Sequence, residues 1–331
     1  MNEIKTIGIV GSGKMGSDLF YYLSDFRFNL KWHTRNEEQQ GILKKSFHKK
    51  IKRQLKHGLI SKEHFDFKNN YQITTDLNNL SDCDFIIESV IEEEYIKQEV
   101  FRTLENIVKP ACVLASNSSS ILPSEISAGL KTKNRILGLH FFYPIAFKNI
   151  VEIVQSEFTD ELTIEKTKLF LDEINRFYMI QQTKDAFILN RFVLELQIKA
   201  YHLKQEYGLS FEQVDRIAKK LVTEFGVFEM IDQVGHYTMY KAILNYSKMD
   251  ENKSKYKALL EEIQSRRSHE DKHFFINPDV DDEKTDPKIQ AKIKGELDNS
   301  ARYYLNLYSE EFDLNIYHLK KGIEEFCGLV L

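Results

Sequence analysis

The sequence predicts a doubly wound α/β domain over residues 1–185, followed by an all-α domain over residues 186–331. Three observations predict it. Compact β-branched runs alternate with helical patterns through the first half, a glycine-rich turn separates the first strand from the first helix, and the strand signal disappears after about residue 185. Alternation of this kind implies a parallel sheet covered by helices on both faces.

The first strand is IKTIGIV, and the helix after the turn carries Met15, Leu19 and Leu23 at helical spacing. FNLKWHT, YQITT, DFIIESV, CVLASN, RILGLHF, NIVEIVQ and FYMIQQT supply seven further strands. Residues 36–68, between the second and third strands, are long, polar and strongly basic, and predict a helical hairpin projecting from the sheet. The segment 186–247 reads as helices, with FILNRFVLELQIKAYHLKQ as its longest apolar-periodic run. Residues 268–288 are polar and acid-rich, a loop or linker, after which helical patterns resume. Residues 200–226 overlay 301–327 without a gap, with Ala200, Tyr207, Phe211, Lys219–Lys220 and Glu224–Phe225 meeting Ala301, Tyr308, Phe312, Lys320–Lys321 and Glu325–Phe326. The second half is therefore expected to contain a duplicated helical unit.

The bulk properties narrow the function classes. A chain of 331 residues can fill two cores, and 42% hydrophobic with 29% charged residues is ordinary for a soluble protein. A net charge of −4 gives no general attraction to nucleic acid or to an anionic membrane. The N-terminal stretch lacks the basic–apolar–small pattern of a secretory signal, and no apolar run reaches the roughly 20 residues that span a bilayer. Cys83, Cys112 and Cys327 are scattered and odd in number, which fits reduced thiols and a cytoplasmic location.

Gly11-Ser12-Gly13-Lys14-Met15-Gly16 is a G-x-G-x-x-G directly after a strand and opening a helix, the dinucleotide-binding signature of a Rossmann-type fold. The first glycine permits the turn, the second lets backbone amides approach a pyrophosphate, and the third lets helix and strand pack closely. The expected cofactor is therefore NAD(P). An acidic residue usually closes the second strand and binds the ribose 2′-hydroxyl. This chain has Thr34 and Arg35 there instead. A neutral hydroxyl beside a permanently charged guanidinium favours a 2′-phosphate, so the expectation leans to NADP(H).

The residues most suggestive of chemistry are SNSSS, LGLHFFYP, NIVEIV and FILNR. Ser119 and His140 would lie beyond the carboxyl ends of strands, where open α/β sheets bind ligands. Glu152, twelve residues after His140, could orient the imidazole and select its tautomer. Ser119 could equally cap a helix ahead of Pro123, and Asn190 could cap the long helix that follows it.

In order and at matching spacing, GSGKMG, IESVIEEEYIK, SNSSS, HFFYP, IVEIV, FILNR and GVFEMID resemble the motifs of the L-3-hydroxyacyl-CoA dehydrogenase family over roughly residues 4–245. The resemblance implies interconversion of a 3-hydroxyacyl and a 3-ketoacyl thioester. It casts His140 as general base, Glu152 as its partner, and Ser119 and Asn190 as hydrogen-bonding partners of the substrate oxygens. Glu92 and Lys97 would lie near the nicotinamide and its ribose. Lys45, in a run of seven basic residues between Lys44 and His57, is the positional match for a contact to the CoA moiety. The same run would suit an acyl carrier protein.

Three departures stand out: Tyr143 replaces the Asn of H-F-F-N-P, Thr34 replaces Asp, and the C-terminal G-x-G-F-Y-x-Y stretch is missing. A monomer is thus as compatible with the sequence as a homodimer. Two alternatives remain, the same chemistry on a carrier-bound or free hydroxy acid, and a nucleotide-binding scaffold without turnover. His269-Glu270-Asp271-Lys272-His273 matches the zinc-hydrolase pattern H-E-x-x-H, but its solvated setting and the want of a clear third ligand argue against a metal.

Overall fold

The computed structural model describes residues 4–221, 225–267, 273–274 and 285–331. The chain divides into two compact units, Met1–Ala186 and Phe187–Leu331.

The first unit contains β1 (Thr6–Val10), α1 (Lys14–Leu23), β2 (Asn29–His33), α2 (Glu37–Lys56), α3 (Lys62–Lys68), β3 (Tyr71–Thr74), β4 (Phe85–Glu88) and α4 (Glu94–Ile107). It continues through β5 (Val113–Ser116), α5 (Pro123–Ile126), β6 (Ile136–Phe141), β7 (Ile150–Val154), α6 (Glu161–Glu173) and β8 (Phe177–Gln181). All eight strands expected from the sequence are present. They form one sheet in the order β3-β2-β1-β4-β5-β6-β7-β8. The chain reverses its direction of travel between β1 and β4, which opens a crevice at their carboxyl ends.

The sheet is not parallel throughout, as the alternation had implied. β6 and β7 pair antiparallel, with Leu139 opposite Ile153 and His140 opposite Glu152. The physical reason is the short connection from Phe142 to Asn149, since a parallel crossover needs a dozen or more residues, usually including a helix. β7 and β8 are again parallel, joined through α6.

Every residue of β1, β4, β5, β6 and β7 is buried, as expected for strands covered on both faces. Alternate residues feed two cores. Ile7, Ile9, Phe85, Ile87, Val113 and Ala115 join Trp32, Phe20 and Phe170 on one face. Val10, Ile86 and Leu114 join Phe101, Leu104 and Ile126 on the other.

The basic segment folds into two helices, but it does not simply project. Leu43, Phe47 and Ile51 recur every four residues along α2 and are buried in the first core, where Phe47 meets Phe20 and Tyr71 at ring-centroid distances of 4.9 Å. Asn36 caps α2 by accepting from the Gln39 amide, with Glu37 and Glu38 at its start and Arg53 and Lys56 at its end. Every Lys and Arg of α2 is left to solvent, whereas Lys68 at the end of α3 is buried and bonded to Asp25.

The second unit consists of α7 (Ile188–Tyr207), α8 (Phe211–Leu221), α9 (Glu229–Val234), α10 (His236–Met249), α11 (Lys257–Arg267), α12 (Pro287–Glu311) and α13 (Ile316–Cys327). Its centre is α7, buried on nearly all sides. Gly208, at φ 63°, ends this helix in the left-handed conformation that an L side chain resists. α12 packs along α7 and α8. Glu195, buried on α7, pairs with Lys255 at 2.5 Å and accepts from the Tyr308 hydroxyl of α12 at 3.4 Å. Lys255 also reaches Asp250 at 2.5 Å, so the buried carboxylate is compensated.

The overlaid stretches 200–226 and 301–327 each run from the end of a long helix into a shorter one. They differ at the turn, since Phe211 opens α8 whereas its counterpart Phe312 ends α12. Of the acid-rich stretch 268–288, residues 268–272 and 275–284 lie outside the described residues. Its end is already helical, because Pro287 opens α12 under a cap from Asp286.

Asp215 ties α8 to α9, accepting from the Phe228 and Glu229 amides at 2.9 and 2.8 Å. Its burial pushes the carboxyl up to about 7, against the opposing pull of those two amides. Because the folded value exceeds the ordinary carboxylate value, this group's contribution to stability is complete below about pH 4 and is lost as pH rises through about 7. Relative to Asp215→Asn, the wild type is therefore expected to lose stability across that window, by at most about 1.4 kcal/mol per pH unit. Urea unfolding of both proteins from pH 4 to 8 checks this, and parallel curves would refute it.

Candidate active site

The carboxyl ends of β1, β4 and β5 stand in register, with Val10 beside Glu88 and Glu88 beside Ser116. The loops leaving these ends carry most of the residues singled out in the sequence.

Gly11 stands at φ +114°, and a Cβ there would lie 2.3 Å from the Ser89 carbonyl oxygen. A Cβ on Gly16 would lie 2.2 Å from the Gly11 carbonyl oxygen, so close packing of α1 on the turn requires glycine. A Cβ on Gly13 would meet nothing within 4 Å, leaving the backbone open on the side a pyrophosphate would approach. Lys14 begins α1, which has no side-chain cap and no acid in its first turn, and Met15 is half-buried against the first core. A helix end of this kind suits an anion. The turn is fixed from β2, where the Trp32 indole donates to the Gly11 carbonyl at 2.7 Å. These residues fit a dinucleotide.

At the end of β2, Thr34 is buried and its hydroxyl lies 3.0 Å from that of Ser12. Arg35 is exposed. Lys14 also sits over the Tyr143 ring, with its ammonium 3.8 Å from the centroid. Asp18, one turn further along α1, accepts from the Ile145 amide at 2.7 Å. The loop after β6 is thereby fastened to the first helix of the turn.

Glu92 and Lys97 come together, along with a carboxylate that the sequence reading missed. The Lys97 ammonium lies 2.9 Å from Glu88 and 3.2 Å from Glu92, and Glu88 accepts from the Ser116 hydroxyl at 2.6 Å. One oxygen of Glu92 accepts from the Ser118 hydroxyl at 2.6 Å and from the Ser119 and Ser120 amides at 2.9 and 3.1 Å. Burial opposes the charge on both groups. Lys97 and the serine donors nevertheless hold Glu92 below the usual carboxylate range, and the two carboxylates hold Lys97 above the usual ammonium value. The serine-rich loop is thus shaped around a carboxylate. A signal for Glu88 was available in its own strand, because an acid within an otherwise apolar run must be paired.

His140 and Glu152 face each other across the antiparallel pair, with Nδ1 2.7 Å from the carboxylate. Both side chains are buried, and Gln181 of β8 donates to the other Glu152 oxygen at 2.8 Å. Gln181 was also missed, since a glutamine in an edge-strand pattern carries no sequence signal of its own. The His140 ring packs against Phe142 at 4.3 Å. Asn117 joins the two loops, accepting from the Phe141 amide at 2.8 Å. An imidazole that donates from Nδ1 presents Nε2 as the atom that takes or returns a proton, and the buried carboxylate stabilises the imidazolium as it forms.

Neither Ser119 nor Asn190 caps a helix. α5 is capped at Leu122 and α7 at Phe187, while Asn190 lies within the first turn of α7. Asn190 belongs to the second unit, where its amide donates to the Tyr246 hydroxyl at 3.1 Å. Lys45 is exposed on α2.

Comparison with known proteins gives the chain's family. Residues 6–186 match the family model of the 3-hydroxyacyl-CoA dehydrogenase NAD binding domain, and residues 187–273 match that of the 3-hydroxyacyl-CoA dehydrogenase C-terminal domain. A 3-hydroxybutyryl-CoA dehydrogenase of Mycobacterium tuberculosis is 29% identical over 242 residues, covering 72% of this chain and 85% of its own. One from Bradyrhizobium diazoefficiens is 26% identical over 235 residues, covering 70% and 80%. The crystal structure of M. tuberculosis FadB2 matches with a TM-score of 0.67 and 26% identity over 84% of this chain and 92% of that one. With both family domains matched in order, the chain belongs to the 3-hydroxyacyl-CoA dehydrogenase family of NAD-dependent oxidoreductases.

Proposed function

We propose that the protein interconverts a 3-hydroxyacyl-CoA and the corresponding 3-ketoacyl-CoA, with His140 as the acid–base residue. The observation that carries this reading is the buried His140–Glu152–Gln181 chain, at 2.7 and 2.8 Å, beside the carboxyl ends of the parallel strands. In oxidation, His140 takes the hydroxyl proton at Nε2 as the carbonyl forms, and in reduction it returns a proton to the carbonyl oxygen. Glu152 keeps the ring oriented and balances its charge in the protonated state. A bound nicotinamide supplies the hydride acceptor or donor. Gly11, Gly13, Lys14, Met15 and Gly16 hold the pyrophosphate, and the Glu88–Lys97–Glu92 cluster shapes the serine loop next to the nicotinamide end. Ser119, and Asn190 in the second unit, hydrogen-bond the substrate oxygens in this reading, a role that rests on their motif positions.

The cofactor is proposed to be NADP(H). Thr34 brings no negative charge to the end of β2, and the exposed Arg35 can grip a 2′-phosphate. With NADPH the cellular direction would be reduction of the ketone. A carrier-protein thioester is the second substrate reading. All seven basic residues between Lys44 and Lys56 are exposed, a surface that complements an acidic carrier as well as the phosphates of CoA. Cys83, Cys112 and Cys327 are buried and unbridged, in keeping with a reducing, cytoplasmic setting. No described helix is long and apolar enough to cross a membrane.

Nicotinamide absorbance during mixing with acetoacetyl-CoA tests the activity, and absence of turnover with both NADPH and NADH would overturn it. His140→Ala is expected to lower kcat by roughly 10²–10⁴-fold. Cofactor affinity, read by fluorescence titration, should stay close to wild type. Arg35→Ala is expected to reduce the preference for NADPH over NADH by about 10-fold or more, the worth of a charge-assisted hydrogen bond. An unchanged ratio of kcat/KM values would show that Arg35 only ends a strand.

A further inference from the structure

We propose that Asp232, His236 and His273 form a binding site in the second unit for one divalent transition-metal ion of the zinc type. Their donor atoms all lie within 4.8 Å of one another. One Asp232 carboxylate oxygen is 2.8 Å from Nε2 of His236 and 3.8 Å from Nδ1 of His273. Donors about 2.0–2.1 Å from a tetrahedral zinc ion stand about 3.3 Å apart, a spacing that the two observed distances bracket. Small side-chain adjustments therefore admit an ion. Two imidazoles and a carboxylate suit zinc, cobalt or nickel, whereas magnesium and calcium favour all-oxygen shells.

The ligands are held by their surroundings. Asp232 lies in α9 and His236 opens α10, and between them Gly235 turns the chain at φ 92°, a conformation that favours glycine. Phe274 is fully buried, stacked 5.8 Å from Phe228 and edge-on to Phe211 at 4.9 Å. Its amide donates to Asp232 at 3.0 Å, and its ring meets that of His236 at 5.5 Å. Arg266 donates to the His273 carbonyl at 2.8 Å. The peptide joining His273 to Phe274 is thus held at both its carbonyl and its amide. Asp232 and His236 side chains are 11% and 13% exposed, while that of His273 is 58% exposed, so the site opens to solvent on the His273 side.

His273 is the last residue of H-E-D-K-H, whose other four residues lie outside the described residues. Its two partner ligands, which the local sequence did not offer, come from the α9–α10 junction some forty residues earlier. These partners make a clamp that fastens residues 273–274 to that junction. A fourth position would be taken by water or by a further side chain.

The test uses the full chain stripped with a chelator and then titrated with zinc ions by calorimetry, with bound metal measured after dialysis. One equivalent is expected for the wild type, together with a rise in Tm that a chelator reverses. Cobalt(II) should give the intense visible bands of a four-coordinate site. His236→Ala and His273→Gln should both lose the equivalent, the bands and the rise in Tm. Because His273 is largely exposed, His273→Gln should keep the metal-free Tm of the wild type, so it decides the question if His236→Ala fails to fold. No stoichiometric zinc in the wild type, or an equal equivalent retained by His273→Gln, would overturn the proposal.

Discussion

The first unit depends on how a carboxylate with no solvent exposure is satisfied. Glu152 is surrounded by apolar strands, and an isolated charge there would be prohibitive. The two Glu152 oxygens meet Nδ1 of His140 at 2.7 Å and the Gln181 amide at 2.8 Å. Both contacts require the local sheet topology. The antiparallel return after β6 sets His140 directly opposite Glu152, and the parallel β8 brings Gln181 from the other side. The one reversal in the sheet and the pairing of His140 with Glu152 are therefore the same structural fact.

A second constraint acts on the cofactor side. The glycine turn, the serine loop and the loop after β6 each border the switch point, and each is tied to another by a specific bond. Trp32 holds the turn, Glu92 gathers the serine amides, Asn117 joins that loop to β6, and Asp18 joins the loop after β6 to α1. Lys14 and Tyr143 add a cation–π contact at the position where the family motif carries an asparagine. The departure from the motif thus comes with a partner of its own.

Much of this was legible in the sequence, for identifiable reasons. Strands announced themselves because β-branched runs alternate with turn residues, and the glycine spacing has a single steric meaning. The direction of β7 was less legible, although the want of a helix between Phe141 and Ile150 carried the signal. Glu88 and Gln181 escaped notice because a polar residue inside a strand pattern reads as an exposed position unless its partner is known. On α2 the seven basic residues drew attention from the period-four stripe of Leu43, Phe47 and Ile51, which seats the helix on the core. The cluster around Asp232 could not be read locally, because His273 is brought to Asp232 and His236 by the packing of Phe274 and the bond from Arg266.

The central claim is that Glu152 holds His140 with its proton on Nδ1 and so assigns proton transfer to Nε2. The ¹⁵N chemical shifts of the His140 ring nitrogens test this most directly. The account predicts a protonated Nδ1 with the shift of a strong hydrogen-bond donor. A dominant Nε2–H tautomer would contradict it.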